Sequence, residues 1–420
     1  MEYLLFTVLV LYLAEETAEQ FLLLLNMRYL SKHGAEVPAG FEKFVDRPTL
    51  LKMRDYSVAH AGVDRIAAVI SIALTLAFLF GGILNWLNNR IAGLEWPPVL
   101  AGVVFYLVLI YADTFLKIPL SLYNTFSLEK RFGFSNQTIG LWLQDLLKSL
   151  LLTTLLMGIL LYSILWLVVA LPHMWWLAGW VFFLLFSIFL LYISPYVIEP
   201  LFNRFSPIQD RALEERIRET MSRAGLTINR VFSMDASRRS SHSNAYFTGI
   251  GQVKRIILFD TLLANHSADE IVAILAHEAG HWKKKHVLKM LVFTQAMALA
   301  GFYLAYVLTA GDQLTELFHL DVPSMHAKLL LVVFLGTIAL FPIKPLFAYI
   351  SRVHEVEADR FALDLTGTPH ALADALIKLS KDNLANLHPH PWYATFYYSH
   401  PPLVQRVRKI LGQNVAFPAP

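Results

Sequence analysis

The sequence predicts an α-helical polytopic membrane protein with a small α+β portion outside the bilayer. Three observations carry that prediction. Of the 420 residues, 56% are hydrophobic and 16% charged, with a mean hydropathy of +0.50, whereas soluble domains run near 25% charged. Seven apolar runs, at about 3–25, 64–87, 97–120, 149–171, 174–197, 287–309 and 327–350, are long enough to cross a membrane. Between the fifth and sixth runs the pattern changes to a charged amphipathic helix followed by short β-like stretches. The chain therefore divides into residues 1–200 (five spans with their loops), 201–286 (helix, small sheet and motif helix), 287–350 (two spans) and 351–420 (a helical C-terminal segment).

Composition also excludes functions. The chain has no Cys, so disulfides, thiolate catalysis and cysteine-held zinc are ruled out, and a metal would need His and carboxylate ligands. A net charge of +3 without a concentrated basic patch argues against a nucleic-acid partner. Met1-Glu2 leads straight into an apolar run with no basic region, so no cleavable signal is expected.

The spans fix an expected orientation. Arg28, Lys32, Lys43, Arg47, Lys52 and Arg54 crowd the first loop, whereas the second carries only Arg90. Lys130, Arg131 and Lys148 mark the third loop, and the loop near Pro172 has no Lys or Arg. The 200–286 region is basic, while 310–326 holds Asp312, Glu316 and Asp321 ahead of the seventh run. Positive residues remain inside, so the N-terminus is expected outside and the C-terminus inside, which agrees with an odd number of spans.

Glu15, Glu16 and Glu19 fall within the first run, where a carboxylate facing lipid is costly. Either the segment is tilted and partly interfacial, or these residues face a polar interior between helices. Asp113, Lys117 and Asn124 near the end of the third run repeat the hint.

Residues 209–224 read as the amphipathic helix, and 230–234, 245–249 and 255–259 as strands. Gly249-Ile250-Gly251-Gln252 suits a hairpin between the last two. Such a sheet next to a catalytic helix can hold an extended peptide along its edge, or can serve only as scaffold.

The central stretch is His277-Glu278-Ala279-Gly280-His281. Ser267 and Glu270 form a capping-box pattern that starts its helix. Histidines four apart share one helical face and can hold one metal ion, while Glu278, rotated by about 100°, reaches a water without being a ligand. That is the division of labour in metal-assisted hydrolysis.

A catalytic zinc takes three protein ligands and leaves one position open. His354, Glu355 and Glu357 compete for the third. Glu355 shares a helical face with Asp359, four residues on, whereas Glu357 points about 200° away. With Glu355 as ligand, Asp359 would land beside a ligand histidine and accept its outer N–H. Farther on, Thr368-Pro369 reads as the start of a helix reaching about Asn386; 387–399 reads as a loop, and His400-Pro401-Pro402 opens a last short helix.

The motif helix, the later Glu355-Val356-Glu357-Ala358-Asp359, Ser243-Asn244-Ala245-Tyr246-Phe247, Arg255 to Leu263, and Ser399-His400-Pro401-Pro402-Leu403 with Arg406 together resemble the type I CAAX prenyl proteases. The resemblance covers nearly the whole chain. It implies seven transmembrane helices around a large intramembrane chamber, with a gluzincin-like α+β metalloprotease portion on the cytoplasmic side. It implies one Zn2+ per chain on His277, His281 and Glu355, with Glu278 as general base and Asp359 supporting a ligand. It further implies that Asn244 and Ala245 line up the substrate, that His400 steadies the oxyanion, and that Arg406 faces the cleft. The implied partners are membrane lipid and a peptide or protein substrate, prenylated in this family at a C-terminal CAAX cysteine, from which the last three residues are removed.

Two rival readings accompany it. A broader membrane quality-control metalloprotease, like the related heat-shock enzymes, would have fewer spans. A transporter or channel would show paired half-length segments or a repeat, and neither is present. The chain ends Phe417-Pro418-Ala419-Pro420 without a dilysine signal, favouring a prokaryotic inner membrane over an endoplasmic reticulum.

Overall fold

The structure, a computed structural model, describes residues 2–248 and 253–412. The proposed Gly249–Gln252 turn and the C-terminal residues from 413 lie outside the described residues. The long helices are α1 (Glu2–His33), α2 (Arg47–Thr75), α3 (Pro98–Tyr123), α4 (Ile139–Ala170) and α5 (Trp175–Ile193). Next come β1 (Phe205–Pro207), α6 (Arg211–Arg223), β2 (Thr227–Met234), β3 (Ala245–Thr248) and β4 (Val253–Phe259). After the sheet come α7 (Ala268–Lys283), α8 (His286–Thr309), α9 (Met325–Leu340), α10 (Lys344–Thr366), α11 (Pro369–Asp382), α12 (Pro391–Tyr397) and α13 (Leu403–Ile410), with shorter helical turns between some of these elements.

Among the described residues, six helical stretches are long and apolar enough to cross a membrane: Arg47–Phe80, Pro98–Phe132, Ile139–Ala170, Trp175–Phe202, His286–Thr309 and Met325–Thr366. Helix α1 is equally long but interrupted by its three glutamates. Its Glu19 is ion-paired with Lys344 at the start of α10, so this carboxylate meets a cation between helices. The neighbours form a closed cycle: α1 touches α2, α2 touches the Asn124–Leu128 continuation of α3, and α4, α5, α8 and α9 follow before α9 returns to α1. Within the most apolar window of each of the six stretches only 6% to 22% of residues are buried.

Several boundaries differ from expectation. The second span ends at Phe80, not near 87, because Gly81-Gly82 breaks the helix, Gly82 having φ +84°. The short turn Phe341–Ile343 joins α9 to the helix of Glu355, which runs on to Thr366. Helix α11 stops at Asp382 rather than Asn386. The stretch expected as a loop after Leu387 contains α12, which starts with Pro391 at its first turn and His390 Nδ1 accepting from the Trp392 amide.

The sheet order is β1-β2-β4-β3; β2 and β4 are parallel, and β1 and β3 pair antiparallel with their neighbours. Strand β1, with only three residues, escaped sequence reading. Ile217, Met221, Val231, Ile256, Leu258 and Leu275, all fully or almost fully buried, join α6, the sheet and α7 in one core. Strand β3 is an edge strand packed beside α7. The loop before it is anchored on two sides. The Arg239 guanidinium grips Asp145 of α4 through two hydrogen bonds of 2.8 and 2.9 Å. Asn383 Oδ1 accepts from the Ser243 amide at 3.0 Å. The edge strand is thus tied to both the membrane ring and the C-terminal helices.

Candidate metal centre

Helix α7 begins with a complete capping box: Ser267 Oγ accepts from the Glu270 amide, and Glu270 Oε2 accepts from the Ser267 amide. Lys378 of α11 adds an ion pair to Glu270 at 2.8 Å. These contacts fix the helix phase that presents His277 and His281 on one side. Helix α10 crosses α7 so closely that a Cβ at Gly280 would lie 2.9 Å from both the Cα and the carbonyl oxygen of Ala358. That small residue is what lets Glu355 reach the histidines.

The geometry is compact. His277 Nε2 and His281 Nε2 are 3.1 Å apart. Glu355 Oε1 lies 3.1 Å from His281 Nε2, and Oε2 lies 3.4 Å from His277 Nε2. One ligand atom from each of the three fits within 4.8 Å, and this is the metal-capable group found among the described residues. Glu355 is buried, and its Oε2 makes no hydrogen bond. Two imidazole nitrogens aimed at each other, with a buried carboxylate against both, are unfavourable without a cation among them. The donor set, two nitrogens and one carboxylate, therefore suits a zinc ion.

Behind His277 stands Asp359, its Oδ1 2.8 Å from Nδ1, so that the ring's Nε2 can face the metal position with a lone pair. Arg406 of α13 binds Asp359 through Nε to Oδ2 and NH2 to Oδ1, each at 2.7 Å, and its NH1 is 3.3 Å from Glu355 Oε2. Arg406 is only 7% exposed, with its guanidinium held between these two carboxylates. No single-sequence periodicity could have placed it there, since α13 is remote along the chain and its burial is set by tertiary packing.

Glu278 is half-buried beside the pair. Burial pushes its carboxyl above the usual glutamate range, while the His277 and His281 imidazoles pull it back. His400 is on the open side, its Nε2 3.4 Å from Glu355 Oε1 and its side chain 61% exposed. It does not cap α13, whose flanking residue is Pro402, and its Nδ1 is 2.9 Å from Ser399 Oγ. Asn244 is exposed, with its Oδ1 accepting from the Ala245 amide, and Ala245 opens the edge strand β3. On the outer side of His281, sequence reading missed His286: its Nδ1 is 3.1 Å from His281 Nδ1, and Glu357 meets it from the other side.

Two imidazoles one turn apart, a carboxylate from a distant helix and a flanking glutamate, mounted on a ring of membrane helices, define a membrane-embedded metallopeptidase. Residues 26–204 match the family described as CAAX prenyl protease N-terminal, five membrane helices, and residues 207–414 match peptidase family M48. The chain is 34% identical to CAAX prenyl protease 1 of Saccharomyces cerevisiae, across 94% of this chain and 92% of that protein. It is 32% identical to the metalloprotease YhfN of Bacillus subtilis, across 86% of this chain and 87% of that one. Its fold matches the crystal structure of S. mikatae Ste24p with a TM-score of 0.90 and 32% identity, covering 96% of this chain and 98% of that chain. The chain belongs to the CAAX prenyl protease 1 family of M48 metallopeptidases.

The α7–α10 crossing gives a direct prediction. Gly280→Ala should force the Ala358 backbone away, lowering thermal stability by roughly 1–3 kcal/mol and weakening peptide cleavage as Glu355 withdraws. A melt together with a cleavage assay checks it. An unchanged melt and full activity would show that the close approach is dispensable.

Proposed function

We propose that the protein is a zinc endopeptidase that removes the C-terminal three residues of prenylated CAAX peptides or proteins at the membrane. The observation that carries the hydrolytic part is the convergence of His277, His281 and Glu355, with Glu278 alongside. His277, His281 and Glu355 would hold the ion. When bound, zinc supplies Lewis acidity, polarising the scissile carbonyl and lowering the pKa of the attacking water.

The chain's own groups do the rest. Glu278 takes the proton from the attacking water and passes it to the departing amine, a task helped by a carboxyl whose affinity for protons is raised by burial. Asp359 holds His277 in the tautomer that leaves Nε2 free, and Arg406 holds Asp359. The exposed His400 donates to the oxygen on which negative charge develops, a contact worth about 3–4 kcal/mol in comparable sites. Asn244 and Ala245 align the substrate, which adds an extended strand to the free edge of β3.

The prenyl dependence rests on family membership. The N-terminus is placed outside and the C-terminus inside on the distribution of loop charges. The test is cleavage of a farnesylated CAAX peptide against the same peptide without the lipid. Burying only a few prenyl carbons, at about 0.8 kcal/mol each, should favour the lipidated peptide by at least about tenfold. Equal cleavage of the two would instead favour a broader quality-control protease.

A further inference from the structure

His277 has a partner behind it in Asp359, and the same logic applies to His281. Its Nε2 faces the metal position, 3.1 Å from both His277 Nε2 and Glu355 Oε1. To bind metal that nitrogen must be unprotonated, so the proton sits on Nδ1 and needs an acceptor. The atom in position is His286 Nδ1, at 3.1 Å. His286 can accept there only if its own proton is on Nε2, and Nε2 lies 2.9 Å from Glu357 Oε2. Each tautomer follows from the next, and the sequence Glu357, His286, His281 has one consistent direction.

The surroundings hold this arrangement. His286 is 3% exposed and stacked on His354, with ring centroids 4.0 Å apart and planes at 10°. It is delivered by a backbone irregularity: Lys285, a non-glycine residue, sits in the left-handed region at φ +57° between α7 and α8. This turns the chain so that a residue five positions on folds back against His281. Left-handed backbone outside glycine costs about 1–3 kcal/mol and persists where its surroundings enforce it. Lys289 Nζ is 3.8 Å from Glu357 Oε2 and helps keep that carboxylate in place.

We propose that His286 and Glu357 are positioning residues that fix the tautomer and ring orientation of His281, a second support chain parallel to Arg406–Asp359–His277. The inference rests on the zinc reading given above. It assigns Glu357, which lies only two residues from a ligand and points away from the metal, to the site rather than to solvent.

The experiment uses the full-length protein in detergent and reads zinc affinity by competition with a chromophoric chelator, together with the melt of the metal-free form. Glu357→Ala and His286→Leu should each bind zinc about 10–100-fold more weakly. His286→Asn, whose side-chain oxygen can stand where Nδ1 stands, should recover most of the loss. Glu357→Gln, still an acceptor, should stay close to wild type. Glu357 is 41% exposed, so its variants are expected to leave the metal-free melt unchanged, and they decide the matter should His286→Leu fail to fold. Equal zinc affinity in wild type, His286→Leu and Glu357→Ala would overturn the support chain while leaving the zinc reading intact. A wild type that binds no zinc would overturn both.

Discussion

Glu278→Gln is expected to hold zinc as wild type does and to cut prenyl peptide at least 100-fold, and up to about 10,000-fold, more slowly. The substitution is nearly isosteric, and Glu278 is not among the converging ligand atoms, so the metal position keeps all three donors. What is lost is the group that accepts the water's proton and returns it to the amine. Zinc content and peptide turnover, measured on the same preparation, check it. Full activity would remove Glu278 from the mechanism, and loss of zinc would show that it binds the metal.

Glu355→Ala should differ in kind. It removes one of three ligands and leaves the two imidazoles to hold the ion alone, so zinc affinity should fall by more than the roughly 100-fold typical of a supporting residue, and cleavage should fall with it. The fold should tolerate the change. Arg406 keeps both of its 2.7 Å bonds to Asp359, and the close crossing at Gly280 remains. The melt of the metal-free variant should therefore match that of metal-free wild type. Retained zinc with normal affinity would mean that another carboxylate completes the site.

The parts of the centre that were legible in the sequence share one property: they obey local helical periodicity. The capping box of Ser267 and Glu270 sets where α7 starts, and four-residue spacing puts His277 over His281. The same spacing picked Glu355 over Glu357 through its partnership with Asp359, and the two are indeed on the buried side of α10. His286 was opaque because its route back to His281 passes through the left-handed Lys285, a break that no periodicity anticipates. The burial of Arg406 was opaque for a different reason, since cationic side chains on a short amphipathic helix ordinarily point to solvent. Here the carboxylates of Glu355 and Asp359 draw the guanidinium inward.

In the fold, the spans were read from length and hydropathy, while their ends were set by details such as Gly81-Gly82 and Phe341–Ile343. The glutamates of α1 illustrate the limit. Sequence alone left tilt and a polar interior as alternatives, and it is the pairing of Glu19 with Lys344, more than three hundred positions away, that favours an inward-facing charge. Strand β1 and helix α12 were too short, at three and seven residues, for any pattern to emerge against flanking prolines.

The most direct measurement is X-ray absorption at the zinc edge on the purified full-length protein. One zinc per chain, surrounded only by nitrogen and oxygen and carrying the scattering signature of two imidazoles, is the expected result. An absent edge, or a shell with one imidazole or with more than two, would contradict the assignment of the ion to His277, His281 and Glu355.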